Sequence, residues 1–155
     1  MGKLIWHDLG RYISLTASFY AVWASFWGIL FRKFFWDFIG GVLRAPGGLQ
    51  PSPKVAIFIT IIVKFPLIQI ITMVLGFIII ALEYPLPVLK GTALYRSIAL
   101  RVVLLIQLSS VAVLFYQGTN AALWSLIAAL FYIRALTLGE RMEEPKNDKG
   151  QVGEA

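Results

Sequence analysis

The residues able to do acid–base or nucleophilic chemistry are few. The chain has one histidine, His7, eight acidic residues and no cysteine. Without cysteine there is no thiolate nucleophile, no disulfide and no cysteine-ligated metal. His7 stands beside Asp8, and neighbours in a helix point about 100° apart, so the pair is a poor acid–base dyad. No His or carboxylate group recurs at metal-ligand spacing. The serines lack a histidine base in a recognisable motif. Gly40-Gly41 and Gly47-Gly48 are not followed by the Lys-Ser/Thr pair of a phosphate loop. The expectation is a protein that is not an enzyme and holds no metal or cofactor.

Polar residues inside apolar stretches are the remaining functional candidates. Lys64, followed by Phe65-Pro66 and then Gln69, interrupts a long hydrophobic run, and Gln107 lies within another. Ionisable residues at membrane depth mark transport paths by default. One lysine without an acidic partner is a weak ion path, and Gln107, Ser109 and Ser110 serve equally as hydrogen-bonding glue between helices. A second candidate is a charge cluster. Arg101 and Arg134 lie at similar distances from the turn at residues 117–120, and Glu83 ends the preceding apolar run on the same side. One carboxylate between two guanidiniums would form an ion-paired knot at the interface. The competing reading has each charge reaching separately for headgroups.

The elements that must position these residues follow from hydropathy. The chain has 155 residues, is 59% hydrophobic and 14% charged, and has a mean hydropathy of +0.78. A soluble fold this small could not bury so much apolar surface. The expectation is all-α, an integral membrane bundle of four transmembrane helices, with an interfacial amphipathic helix after the first span. The spans fall at about 12–31, 55–82, 98–116 and 121–138, forming one domain over residues 1–139. The second run is longer than a bilayer core requires. It is read as one helix kinked at Pro66, or as a short approach over residues 55–63 followed by the crossing. Residues 31–44 carry Lys33, Asp37 and Arg44 near one face and aromatic bulk opposite, as a headgroup-level helix would. A simple continuation of the first helix fits equally well. Residues 45–53 are rich in proline and glycine and mark a loop. Residues 140–155 hold eight charged side chains and read as a disordered tail. The N-terminus lacks the features of a cleaved signal.

Small side chains form two ladders. Ser14, Ser18, Ala21, Ser25 and Gly28 recur at alternating steps of four and three, and Ala121, Ser125 and Ala129 at steps of four. Such seams let helix backbones approach closely in lipid. They serve either internal packing or a partner subunit. The net charge of +6 lies mostly at the ends of apolar runs, which points to lipid headgroups and away from nucleic acid. With four spans, the side holding both termini carries the excess of Lys and Arg, so both termini are expected in the cytoplasm. The sequence does not name the membrane.

The segments FWGILFRKFFWDFIGG, GGLQPSPKVAIFI, LGFIIIALEYPLPVLKGT and FYQGTNAALWSLIAALFYIRA resemble a family of small, uncharacterised fungal multi-span membrane proteins. The similarity runs from residue 1 to about 140 and omits the tail. It implies a multi-span membrane protein carrying a domain of unknown function, and it transfers no site residue. The expected role is a non-enzymatic accessory subunit or scaffold, in contact with membrane lipids and with a membrane-protein partner or copies of itself. The alternatives are a small transporter or channel component, and a protein that acts on the membrane surface through residues 34–43.

Overall fold

A computed structural model of the chain describes residues 4–33, 52–84, 86, 89 and 91–142. The expected interfacial helix at 34–43 and most of the charged tail lie outside the described residues. Among the described residues every regular element is helical. Helix α1 is Trp6–Leu30. A 3-10 turn at Pro53–Val55 leads into the one-turn α2 (Ala56–Ile59) and a π-helical stretch, Thr60–Lys64. Then come α3 (Leu67–Glu83), the one-turn α4 (Ala93–Arg96), α5 (Ile98–Ala112), a 3-10 turn at Tyr116–Gly118, and α6 (Thr119–Thr137).

The four long helices form an up-down-up-down bundle. Helix α1 packs on α3 and α6, and α5 packs on α6 and α3, while α1 and α5 barely meet across the diagonal. The inward faces of α1 and α6 are built largely from small side chains, packed against Ile79, Leu105, Leu108 and Phe115. Ala17, Ala21, Ala24, Ala121, Ala128 and Ala129 are buried beside Ser14, Ser18, Ser25 and Ser125. Gly76 shows how close the backbones come: a Cβ there would lie 2.9 Å from Val22 Cγ2 and 3.2 Å from the Ser18 carbonyl. The outside is large and apolar, with Phe19 and Trp23 each 61% exposed and Phe77 55%. Dispersion between tightly approaching backbones, with bulk turned outward, is how helices associate where the surroundings are themselves apolar.

Two helical stretches, Trp6–Leu30 and Tyr116–Thr137, are long and apolar enough to cross a membrane. Residues 53–64 and 67–83 add a third if they count as one span, but they meet at a bend of 63°. This break is sharper than a kinked continuous helix. Proline explains it. Pro66 has no N–H to give the carbonyl of Ile62, and its ring clashes with a continuing helix. The chain responds with a π turn, in which the Phe65 N–H reaches back to the Thr60 carbonyl at 2.8 Å. Gln69 then supplies the missing donor, its Nε2 bonding the Ile62 carbonyl at 2.9 Å.

The expected third span is also shorter than hydropathy suggests. Helix α5 has 15 residues, about 22 Å of rise. Beyond Ala112 the chain folds back tightly, with Phe115 extended and fully buried and no room for a Cβ on Gly118 against the Ala112 carbonyl. The Phe115 ring comes within 3.0 Å of where a Cβ would stand on Gly28.

Candidate functional site

The most concentrated polar chemistry lies at the end of the bundle where α3 finishes. Helix α3 ends in the protein interior, with Leu82 and Glu83 both buried, so its last carbonyls need donors from elsewhere. Two arginines supply them. Arg11, one and a half turns into α1, donates from Nε to the Glu83 carbonyl at 2.9 Å. Arg101, in the first turns of α5, donates from a terminal nitrogen to the Leu82 carbonyl at 3.0 Å. Cations at a helix C-terminus also meet the negative end of its dipole.

Arg101 does more than cap. Its Nε lies 3.1 Å from the Glu83 carboxylate, and the two side chains are 1% and 0% exposed. Its other terminal nitrogen bonds the Tyr95 carbonyl at 2.6 Å and the Ser97 carbonyl at 3.2 Å. The guanidinium lies 5.4 Å from the centre of the Tyr95 ring. The second carboxylate oxygen of Glu83 accepts the Tyr132 hydroxyl at 2.7 Å. Glu83 from α3, Arg101 from α5, Tyr132 from α6 and Arg11 from α1 therefore tie all four long helices together.

Local chemistry prepares these positions. Thr92 caps α4 by accepting the Tyr95 N–H at 3.3 Å, and Ser97 caps α5 by accepting the Leu100 N–H at 3.1 Å. The two caps bend the chain sharply before α5. That bend brings the Tyr95 and Ser97 carbonyls round to Arg101. A buried ion pair repays its desolvation only when the remaining donors are also satisfied. Here both carboxylate oxygens are bonded, and every nitrogen of the guanidinium is engaged. The arrangement ties the ends of the four long helices together.

The expected cluster of Glu83, Arg101 and Arg134 is thus half assembled. Glu83 and Arg101 come together, and Arg134 does not join them. Its guanidinium lies 5.9 Å from the centre of the Trp6 ring, on an exposed face. The reason is angular. Arg134 is two residues, about 200° of helix, beyond the inward-facing Tyr132. Equal depth from a turn gives height along the bundle and says nothing about which way a side chain faces. Tyr132 and Arg11, which complete the network, were missed for the same reason. Their inward orientation is visible only once α6 and α1 are packed.

The small-residue ladders lie inside. Ser14, Ser18, Ala21, Ser25 and Gly28 are all buried along α1, as are Ala121, Ser125 and Ala129 along α6. The intramembrane polar candidates do not converge. Lys64 is exposed, and its carbonyl accepts from Arg32 at 3.0 Å. Gln69 is buried and occupied in mending the helix break. Gln107 lies on the outer face of α5. Ser109 does bridge helices, donating to the Ala122 carbonyl at 2.8 Å, whereas Ser110 bonds within its own helix.

A second polar contact lies at the same end. Helix α1 begins at Ile5 with no side-chain cap of its own. Glu140 provides one from the far end of the chain, accepting the Trp6 and His7 N–H groups at 3.1 and 2.9 Å. The His7 ring nitrogen Nδ1 lies 2.8 Å from the same carboxylate, and Nε2 lies 3.7 Å from Asp8. Partial burial pushes the Glu140 carboxyl up, but the bonds from His7 and Trp6 outweigh it and hold it below its ordinary value. The expected tail begins at Glu140, yet this residue is the N-terminal cap of the first helix. Among the described residues no group of three or more His, Cys, Asp or Glu could hold a metal ion.

No curated protein and no solved structure matches the chain. Residues 1–140 match the family described as Domain of unknown function (DUF7727). The match ends at the residue whose carboxylate closes the bundle onto α1. The chain belongs to that family.

Proposed function

We propose that the chain is a multi-pass integral membrane protein with four antiparallel spans, acting without catalysis as an accessory subunit or scaffold in a membrane assembly. The observation that carries this reading is the inverted distribution of side chains. Serines, alanines, a glutamine and an ion pair are buried among Ile79, Leu105, Leu108 and Phe115, while Phe19, Trp23, Phe26, Phe77 and Leu130 face outward. A soluble bundle of this size would do the reverse. Helix α5 then crosses as the shortest of the four, with the bilayer thinned around it.

Both ladders of small residues are consumed in packing the bundle. A partner would therefore meet the outer aromatic face of α1, and the seam would stay internal. The end holding residue 4 and residue 142 carries the Lys and Arg excess, which favours its placement in the cytoplasm.

The chain has no cysteine, so single cysteines can report topology cleanly. Leu4→Cys and Thr137→Cys are expected to react with an impermeant maleimide from one side, and Ser52→Cys from the other. Labelling of all three from one side would refute the four-span arrangement. Native mass spectrometry of the protein, extracted gently from its own membrane, tests the role. A defined hetero-complex is the expected result, and a bare monomer would refute the subunit reading.

A further inference from the structure

At the end of the bundle away from the ion pair, a cavity of about 310 Å³ opens between α1 and the start of α6. Its walls include Tyr20, Trp23 and Trp27 from α1, and Tyr116, Thr119 and Asn120 from the entry into α6. Four of these six are aromatic, and among the described residues no carboxylate lines it. The Trp23 and Trp27 rings meet edge to face, 5.7 Å apart at 74°, so they present walls in two orientations. The Tyr20 hydroxyl accepts the Asn120 amide at 3.2 Å, which fixes a third ring. On the rim, the Lys33 ammonium lies 5.6 Å from the centre of the Tyr116 ring. That contact shows a ring face already placed to attract a cation, and it sets a positive charge beside the cavity.

The chemistry of such a lining is selective. Aromatic faces attract cations through their quadrupole, and they suit a quaternary ammonium, whose diffuse charge needs no hydrogen-bond acceptor. A primary ammonium would find few acceptors there, chiefly the unpartnered Gln117 side-chain oxygen and the Thr119 hydroxyl, and its compact, strongly hydrated charge gains less from ring faces. A trimethylammonium group that carries a phosphate on the same short stem would place that phosphate beside Lys33. Trp27 and Tyr116, near the end of α1, lie where the headgroup layer of a bilayer would begin. We propose that this cavity binds the phosphocholine headgroup of a phosphatidylcholine, with choline between the aromatic rings and the phosphate on Lys33. The proposal rests on the membrane reading above.

The test is native mass spectrometry of the full chain in a maltoside detergent. Equimolar phosphatidylcholine, phosphatidylethanolamine and phosphatidylglycerol with identical acyl chains would be added. The expected result is one retained phosphatidylcholine, preferred about tenfold over phosphatidylethanolamine, as a desolvated cation–aromatic contact allows. Trp27→Leu should abolish the preference. Trp124→Leu, which alters a separate groove beside Tyr12 and Thr16, should leave it intact. Equal retention of the three lipids, a preference for phosphatidylglycerol, or an unchanged preference in Trp27→Leu would overturn the site. Should Trp27→Leu lose its helical circular dichroism, Trp23→Leu takes its place, and the selectivity of the unaltered protein still decides. Recovery of the chain as a soluble protein without detergent would overturn the membrane reading and this site together. Detergent-dependent protein without lipid preference would overturn this site alone.

Discussion

Replacing Glu83 by glutamine tests the central network with almost no change in shape. The glutamine carbonyl can still accept from Arg101 Nε, now 3.1 Å from a carboxylate oxygen. Its amide can donate to Tyr132, whose hydroxyl now donates at 2.7 Å but is also able to accept. The carbonyls of Leu82, Tyr95 and Ser97 keep their bonds to Arg101. What disappears is the negative charge, which leaves a guanidinium 1% exposed without a counter-ion. Breaking a buried pair from one side costs about 3–5 kcal/mol. The preserved geometry places Glu83→Gln at the lower end, about 3 kcal/mol, or roughly a 10 °C fall in Tm for a chain of this size. Thermal unfolding in detergent, followed by helical circular dichroism, is the assay. Adding Arg101→Met to Glu83→Gln should not recover the loss, because it removes the donors to the Leu82, Tyr95 and Ser97 carbonyls. Sodium chloride up to about 1 M should leave the difference in place, since buried pairs are screened little. Lys54→Gln, at an exposed position, is the control and should change Tm by little. Equal effects from Glu83→Gln and Lys54→Gln would refute the reasoning, as would a difference that vanishes in salt.

Three further outcomes follow from single contacts. Gln69→Leu keeps the bulk of the side chain but strands the Ile62 carbonyl at the proline break. The loss should be about 1–3 kcal/mol, read as a lower Tm, with no change expected when Gln107 is replaced by leucine. Gly76→Ala puts a methyl 2.9 Å from Val22 and 3.2 Å from the Ser18 carbonyl. Forcing α1 and α3 apart should cost about 1–3 kcal/mol, and an unchanged Tm would contradict the close packing. The Glu140 carboxyl is held below its ordinary value of 4.5 in the folded protein, so its cap on α1 is fully present above that value. The cap is lost as pH falls through the lowered value. Amide resonances of Trp6 and His7 should shift with a midpoint below 4.5, and Glu140→Gln should remove that titration; a midpoint at or above 4.5 would refute the cap.

How much was legible beforehand differs by kind of feature. The positions of the long helices came from apolar runs bounded by Arg32-Lys33, by the Glu83–Pro87 stretch and by the Gln117–Asn120 turn. The small-residue ladders were visible because their spacing of three and four matches the helical repeat. Glu83 and Arg101 were paired from their distance to a turn, which fixes height. The same measure wrongly admitted Arg134, because height carries no information about azimuth. Breaks were harder. Hydropathy runs straight through Val55–Leu82 and Ile98–Tyr116, yet Pro66 splits the first and the tight turn ending at Gly118 shortens the second. Average hydropathy does not register a missing N–H or a turn with no room for a side chain.

The sequence alone determined that apolar helices dominate, that cysteine chemistry is absent, and which side chains are small enough for backbones to meet. Those properties are local, set by residue type and period. The tertiary structure decided which carbonyls at the end of α3 needed donors, and it chose Arg11, Arg101 and Tyr132 to serve that end. It also recruited Glu140 to cap a helix that starts more than 130 residues earlier. Such choices depend on the rotation of each helix about its axis, and rotation is set only when four helices pack at once.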